Sequence, residues 1–206
     1  MKNNQPNICA VVLAAGLSSR MGTQKMLLQW GVKTILTSII DSLMEAHIQP
    51  IIVVTGANAQ KIEKALKNYP VSIVFNPLYS DGEMLHSVQT GLNAVPQNCK
   101  GVMVVLGDQP QIDRSIIESL CNHFLNGKKE ISVPSYNMRR GHPWIFHQKY
   151  VSEIQSLKSP QSLRDFFEAK TEKIEYLLVD TPAVIKDIDT PDDYENEKPK
   201  DHKKGL

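Results

Sequence analysis

Apolar residues in the first half of the chain follow two alternating patterns. Unbroken runs of Val, Ile and Leu occur at Ile8 to Leu13, Ile51 to Thr55, Val71 to Phe75 and Val102 to Leu106. Runs without polar alternation predict strands covered on both faces. Between them, Ile35 to His47, Ala59 to Asn68 and Glu83 to Ala94 place apolar residues three and four positions apart. That is the period of a helix with one buried face, and Ile116, Leu120 and Phe124 continue it into a further helix. The rhythm predicts a three-layer α/β domain with a largely parallel sheet. Ligands of such sheets bind beyond the carboxyl ends of the strands. Ala15-Gly16 and Gly107-Asp108 each follow a predicted strand, so both fall on one rim.

From about residue 131 the pattern changes. Ile131 to Pro134 and Trp144 to His147 read as strands flanking Tyr136-Asn137-Met138-Arg139-Arg140-Gly141. A helix is predicted to begin at Ser159-Pro160, with serine as cap and proline in the first turn. Ile174 to Val179 supplies one more strand. Glu195 to Lys204 is almost wholly charged or polar, which predicts a frayed tail (195–206) after a single domain over residues 1–194. There is no internal repeat and no second domain.

Charge and cysteine content narrow the partners. The 206 residues carry a formal net charge of +1, so no global field favours nucleic acid or an anionic membrane. Any affinity for anions must be local. No apolar run approaches the ~20 residues of a membrane span, and neither a leader nor an anchor is expected. The three cysteines, Cys9, Cys99 and Cys121, are widely spaced and form no Cys-x-x-Cys. That predicts a reduced, cytoplasmic protein without disulfides, with Cys9 and Cys121 as small buried apolar residues.

The densest chemistry follows the first strand, in Leu13-Ala14-Ala15-Gly16-Leu17-Ser18-Ser19-Arg20-Met21-Gly22-Thr23-Gln24-Lys25. Small residues let backbone N–H groups approach a polyphosphate, and a guanidinium and an ammonium then neutralise its charge. The loop matches neither Gly-x-Gly-x-x-Gly nor the P-loop pattern. It resembles the Leu-Ala-Ala-Gly-x-Ser-x-Arg-Met-Gly-x-x-Lys signature of nucleotidyltransferases that act on molybdopterin. Three further segments carry the same resemblance. Gly107-Asp108-Gln109-Pro110 is similar to the family's Gly-Asp-x-Pro, and Asp187-Ile188-Asp189-Thr190-Pro191-Asp192-Asp193 to its Asp-x-Asp-Thr-Pro-Glu-Asp ending. Gly141-His142-Pro143-Trp144-Ile145-Phe146 matches Gly-His-Pro-x-x-Phe. The resemblance spans about Ile8 to Tyr194.

It implies a Rossmann-like nucleotidyltransferase fold of α/β/α layers and transfer of CMP from CTP to molybdenum-bound molybdopterin. The product would serve a molybdenum hydroxylase such as xanthine dehydrogenase. A phosphate nucleophile is already anionic at neutral pH, so no serine, cysteine or histidine needs activating. Catalysis reduces to aligning two polyanions and neutralising charge with a divalent cation. The resemblance assigns nucleotide contacts to Leu13, Ala14, Ala15, Gly16 and Ser18, and charge balance to Arg20 and Lys25. It assigns Mg2+ to Asp108 and Asp189, with Asp187 as the alternative to Asp189. His142 would meet the acceptor, and the Arg139-Arg140 pair, Arg139 foremost, its anionic groups. Where the family has a Gly-rich turn, this chain has Glu83-Met84-Leu85-His86, so only Gly82 and Ser87 carry over. Arg164, in Ser162 to Phe167, reads as part of an ordinary amphipathic helix, and Asp192 and Asp193 as first-turn carboxylates favoured by the helix dipole.

Four other readings remain, one of them a sugar-phosphate or alditol-phosphate nucleotidyltransferase on the same fold, against which the Gly-His-Pro element argues. A guanylyltransferase of the same family uses GTP, but tends to carry Leu-Ala-Gly-Gly where this chain has Leu13-Ala14-Ala15-Gly16. A carrier could hold the finished cofactor without turning over nucleotide, though it would not need the carboxylates. A NAD-dependent oxidoreductase lacks support without the glycine fingerprint.

Overall fold

The first strand sets the architecture. β1 (Ile8–Ala14) is buried along its whole length, and its side chains alternate between two cores. Ile8, Ala10, Val12 and Ala14 enter one, and Cys9, Val11 and Leu13 the other. The structure, a computed structural model, describes residues 7–81 and 83–199. After β1 come the short β2 (Gln29–Trp30) and β3 (Lys33–Thr34), α1 (Ile35–Glu45), β4 (Ile51–Thr55), α2 (Ala59–Ala65) and β5 (Ser72–Phe75). Next are α3 (Met84–Leu92), β6 (Gly101–Leu106), α4 (Arg114–Asn126), β7 (Ile131–Tyr136), β8 (Arg139–Arg140) and β9 (Trp144–His147). The chain closes with α5 (Val151–Ser156), α6 (Leu163–Ala169), β10 (Ile174–Leu178) and α7 (Pro191–Glu197).

The main sheet has the order β10-β7-β9-β6-β1-β4-β5, with β8 attached to β7. β6, β1, β4 and β5 are parallel to one another, and β10 is parallel to β7. β9 runs against both its neighbours. Helices α1, α2 and α4 cover one face through Ile39, Ile62 and Ile117, while α3, α5 and α6 cover the other through Val88, Ile154 and Phe166. The sheet is thus mostly parallel and sandwiched between helical layers. α3 lies close against β1 because Gly91 has no side chain, and a Cβ there would collide with Val11.

Connectivity explains where a ligand can enter. The chain steps outward from β1 to β4 to β5, then returns across α3 to β6 on the other flank of β1. The carboxyl ends of β1 and β6 therefore flank a topological switch point, where open α/β sheets bind ligands. The crossover from β6 to β7 continues in the direction of the β5-to-β6 step but passes over the opposite face. Its hand is therefore the reverse of the one before it, an exception among such crossovers.

Several expectations need correcting. The helix predicted from Ser159-Pro160 starts at Leu163, and its cap is Ser162, whose hydroxyl accepts from Asp165 N while Asp165 accepts from Ser162 N. A capping box outweighs a lone Ser-Pro pair because two free N–H groups are satisfied at once. The final helix runs to Glu197, beyond the predicted start of the tail, and Tyr194 Oη donates to Gln29 O at 2.6 Å. Residues 200–206 of that tail lie outside the described residues. Cys9 and Cys99 are joined as a disulfide, with Cα atoms 6.2 Å apart, against the expectation of none. Cys99 lies just before β6, which pairs with β1, so the sheet brings together residues whose spacing in sequence suggests nothing. Cys121 is free and buried, and burial pushes its thiol up to about 12.

Candidate active site at the switch point

Past the end of β1 the chain leaves the sheet in a tight loop. Ser18 adopts the left-handed conformation at φ 53° and Gly22 at φ 64°. The Ser18 hydroxyl donates to Gln24 Oε1 at 3.0 Å and accepts from Lys25 N at 3.3 Å. Ser18 therefore shapes the loop from within. Gly16 differs: a Cβ there would meet nothing within 4 Å. The protein itself does not require glycine at this point, which leaves room for a ligand against the backbone. Just past the neighbouring strand β6, Gly107 is confined, since a Cβ would lie 2.7 Å from Leu13 O.

Those two strand ends bring the charged groups together. Lys25 Nζ lies 2.6 Å from Asp108 Oδ2 and 2.7 Å from Asp189 Oδ1. Arg20 reaches Asp189 Oδ2 from the solvent side at 3.0 Å. Burial alone would lower the Lys25 ammonium, but the attraction of Asp108, with Asp189 added, holds it above its usual value and charged. Asp189 arrives from the far end of the chain because Ile188 is fully buried and its N–H donates to Asp108 O at 3.0 Å. The Thr190–Asp193 capping box then fixes the turn that follows.

Asp187 points elsewhere: its Oδ1 accepts from Gln109 Nε2 at 2.8 Å. Burial and the nearby Asp108 charge raise its carboxyl. Asp108 Oδ1 is buried without a hydrogen-bond partner. Among the described residues no group of three or more histidine, cysteine or carboxylate side chains forms a ready metal cage. Asp108 and Asp189 are the pair that can hold a divalent cation sharing its shell with phosphate oxygens.

The cleft around them has a volume of about 540 Å³ and is lined by Leu13, Ala15, Gly16, Ser18, Arg20, Lys25, Ser87, Asp108 and Asp189. The Ala14 side chain faces the opposite way into the core and does not line the cleft, which leaves only its backbone for the contact assigned to it. Gly82 lies outside the described residues. Ser87 Oγ accepts from Asn76 Nδ2 at 3.0 Å, a contact buried beneath the cleft. Tyr79, Glu83 and Met84 also line it; Glu83 and Met84, at the start of α3, stand where the chain departs from the family's Gly-rich turn, and no sequence pattern marks Tyr79.

A second cavity of about 780 Å³ adjoins the first and shares Glu83 and Met84 with it. Its floor is aromatic. His142 stacks on Trp144 with ring centres 4.1 Å apart, and Phe167 meets Trp144 edge-on at 4.5 Å. His142 N donates to Val184 O at 2.7 Å, which ties the Gly-His-Pro turn down. Burial lowers the imidazole to about 4, so it is neutral at pH 7, and Nε2 is buried without a partner. Arg140, not Arg139, lines this cavity. Adjacent residues of β8 face opposite sides, and only its pairing with β7 decides which one turns inward. Arg164 also lines it, with its guanidinium engaged by Glu168 at 2.8 Å.

Known proteins resemble this chain over most of its length. The molybdenum cofactor cytidylyltransferase of Escherichia coli K12 is 29% identical over 195 residues, covering 91% of this chain and 93% of that protein. The nicotine blue oxidoreductase of Paenarthrobacter nicotinovorans is 26% identical over 194 residues, covering 90% and 93%. The two names denote different chemistries, so likeness over the whole chain does not by itself fix the reaction. Among solved structures, Rv0371c from Mycobacterium tuberculosis H37Rv in complex with manganese superposes with a TM-score of 0.76 at 26% identity, covering 92% of this chain and 96% of that one. Among the described residues no helix is long and apolar enough to cross a membrane. The sequence pattern of the MobA-like NTP transferase domain matches residues 10–174, from the first strand to the last, and the chain belongs to that family.

Proposed function

We propose that this nucleotidyltransferase moves CMP from CTP to molybdenum-bound molybdopterin, releasing pyrophosphate. One observation carries the reading: a polar cleft with the Lys25, Asp108 and Asp189 cluster adjoins an aromatic cavity, with Glu83 and Met84 common to both. Such a pair of cavities suits one polyphosphate and one flat heterocyclic acceptor, held so that a phosphate of the second faces the α-phosphorus of the first. A phosphate oxygen of the acceptor attacks that phosphorus, the bond to the β-phosphate oxygen breaks, and pyrophosphate leaves with the electron pair.

Each residue has a task in that step. Backbone N–H groups around Ala15 and Gly16 hold the triphosphate, and the open space beside Gly16 supports their close approach. Arg20 and Lys25 offset its charge. Asp108 and Asp189 would hold Mg2+, and the unpartnered Asp108 Oδ1 fits that role. When bound, the cation polarises the phosphoryl group and stabilises the leaving pyrophosphate. His142, neutral and with Nε2 free, would fix the acceptor by a hydrogen bond, with Trp144 and Phe167 as its walls. Carboxylates facing two cations suit phosphoryl charge better than hydride transfer, which weighs against the oxidoreductase reading. The Ala15 methyl favours CTP over GTP by about 1–3 kcal/mol at most. The product would pass to a molybdenum hydroxylase such as xanthine dehydrogenase.

The test is pyrophosphate release by purified protein with molybdenum-loaded molybdopterin and Mg2+, run in parallel with CTP and GTP. Release with CTP alone is expected. Release with GTP would move the chain to the guanylyl branch, and no release with either, given competent cofactor, would favour the carrier.

A further inference from the structure

Lys25 holds the place that a cation shared by Asp108 and Asp189 would take. Its Nζ contacts one oxygen of each, at 2.6 and 2.7 Å. The Lys25 side chain is only 9% exposed, so the ammonium reaches the pair from within the protein. A divalent cation bridging these same two oxygens would need the space the ammonium fills. While Lys25 stays, Asp108 offers only its unpartnered Oδ1, so full sharing of the ion by both carboxylates waits for the ammonium to leave.

Arg20 is different. Its side chain is 75% exposed and, among the described residues, its ion pair is with Asp189 and not Asp108, so it adds charge without bridging the carboxylates. Lys25 can leave its buried ion pairs only when another anion receives it, because an unpaired buried charge is costly. The cleft that Lys25 lines has space for such an anion beside Gly16.

We propose that Lys25 is a lock on the metal site that a polyphosphate opens. In the free protein the ammonium clamps Asp108 and Asp189 together. On nucleotide binding it turns to the triphosphate, and the carboxylates become available to a divalent cation. The cation therefore binds with or after the nucleotide and not before it. The inference rests on the cleft being the nucleotide site proposed above.

The test measures Mn2+ binding to the full chain by electron paramagnetic resonance of the free ion, with no nucleotide or acceptor present. Wild type should bind weakly. Lys25→Gln should bind about tenfold more tightly or better, whereas Arg20→Gln, which removes the same charge, should change affinity less than about threefold. Adding Asp108→Asn to Lys25→Gln should abolish the gain. No gain in Lys25→Gln, an equal gain in Arg20→Gln, or a gain that survives Asp108→Asn would each overturn the lock.

A measurement on wild type guards against a Lys25 variant that fails to fold. With EDTA present, CTP or inorganic tripolyphosphate should shift the 15N ammonium resonance of Lys25; in buffer without EDTA, Mg2+ alone should not. A shift with tripolyphosphate but not CTP keeps the lock and rejects the nucleotide reading. No shift with either overturns the lock.

Discussion

Position along a strand or loop decides which residue meets a ligand. Ala14 and Ala15 are neighbours, yet one faces the core and the other the cleft. Arg139 and Arg140 divide in the same way. His142 shows what burial does to a single group. Its imidazole sits at about 4 in the folded protein against 6.5 for an exposed histidine. The unfolded chain therefore takes up a proton that the folded one refuses, and stability falls as pH drops from 6.5 to 4. Above pH 6.5 the full contribution is present. The loss amounts to roughly 3 kcal/mol, and urea unfolding across that range measures it. His142→Asn should flatten the slope; an unchanged slope would assign the effect to other groups. Lys25, Asp108 and Asp189 were legible as candidates through the motifs this chain shares with molybdopterin nucleotidyltransferases, and the choice of Asp189 over Asp187 rested on that resemblance. That one ammonium bridges both carboxylates was not, because the bridge depends on where the end of the chain packs.

At the scale of elements, the strands with continuous apolar runs lie close to where the pattern puts them. β4 spans Ile51–Thr55 as predicted, because a strand buried on both faces leaves no polar position to blur its limits. The boundaries that moved are those set by local hydrogen bonds. α6 waits for its Ser162–Asp165 box, and α7 begins with Thr190–Asp193. The second box matters for the site. Thr190 Oγ1 accepts from Asp193 N at 3.1 Å, and Asp193 Oδ2 accepts from Asp189 N at 3.2 Å. Thr190→Ala should cost about 1 kcal/mol in urea unfolding. It should also lower Mn2+ affinity in the presence of CTP, because Asp189 loses its fixed backbone. A loss of stability with metal affinity intact would show that Asp189 is held by Ile188 alone.

Across the whole molecule, the order in which strands join the sheet creates the site. β1 and β6 are separated in sequence by two strands of the same sheet, yet they lie side by side, and their carboxyl ends carry the loop and the aspartate. The alternation of strands and helices made the layered class legible. It could not give the antiparallel insertion of β9, which places Trp144 in the wall of the second cavity. Nor could it give the Cys9–Cys99 bond, which depends on strand order and not on cysteine spacing. The central claim is that chemistry occurs at Asp108 between the two cavities. It is tested most directly by following the α-phosphate of labelled CTP into molybdopterin with wild type and Asp108→Asn. Label should enter the acceptor with wild type and fall by about 10²–10³-fold in a variant that remains folded. Equal incorporation by both proteins would contradict the assignment of this site.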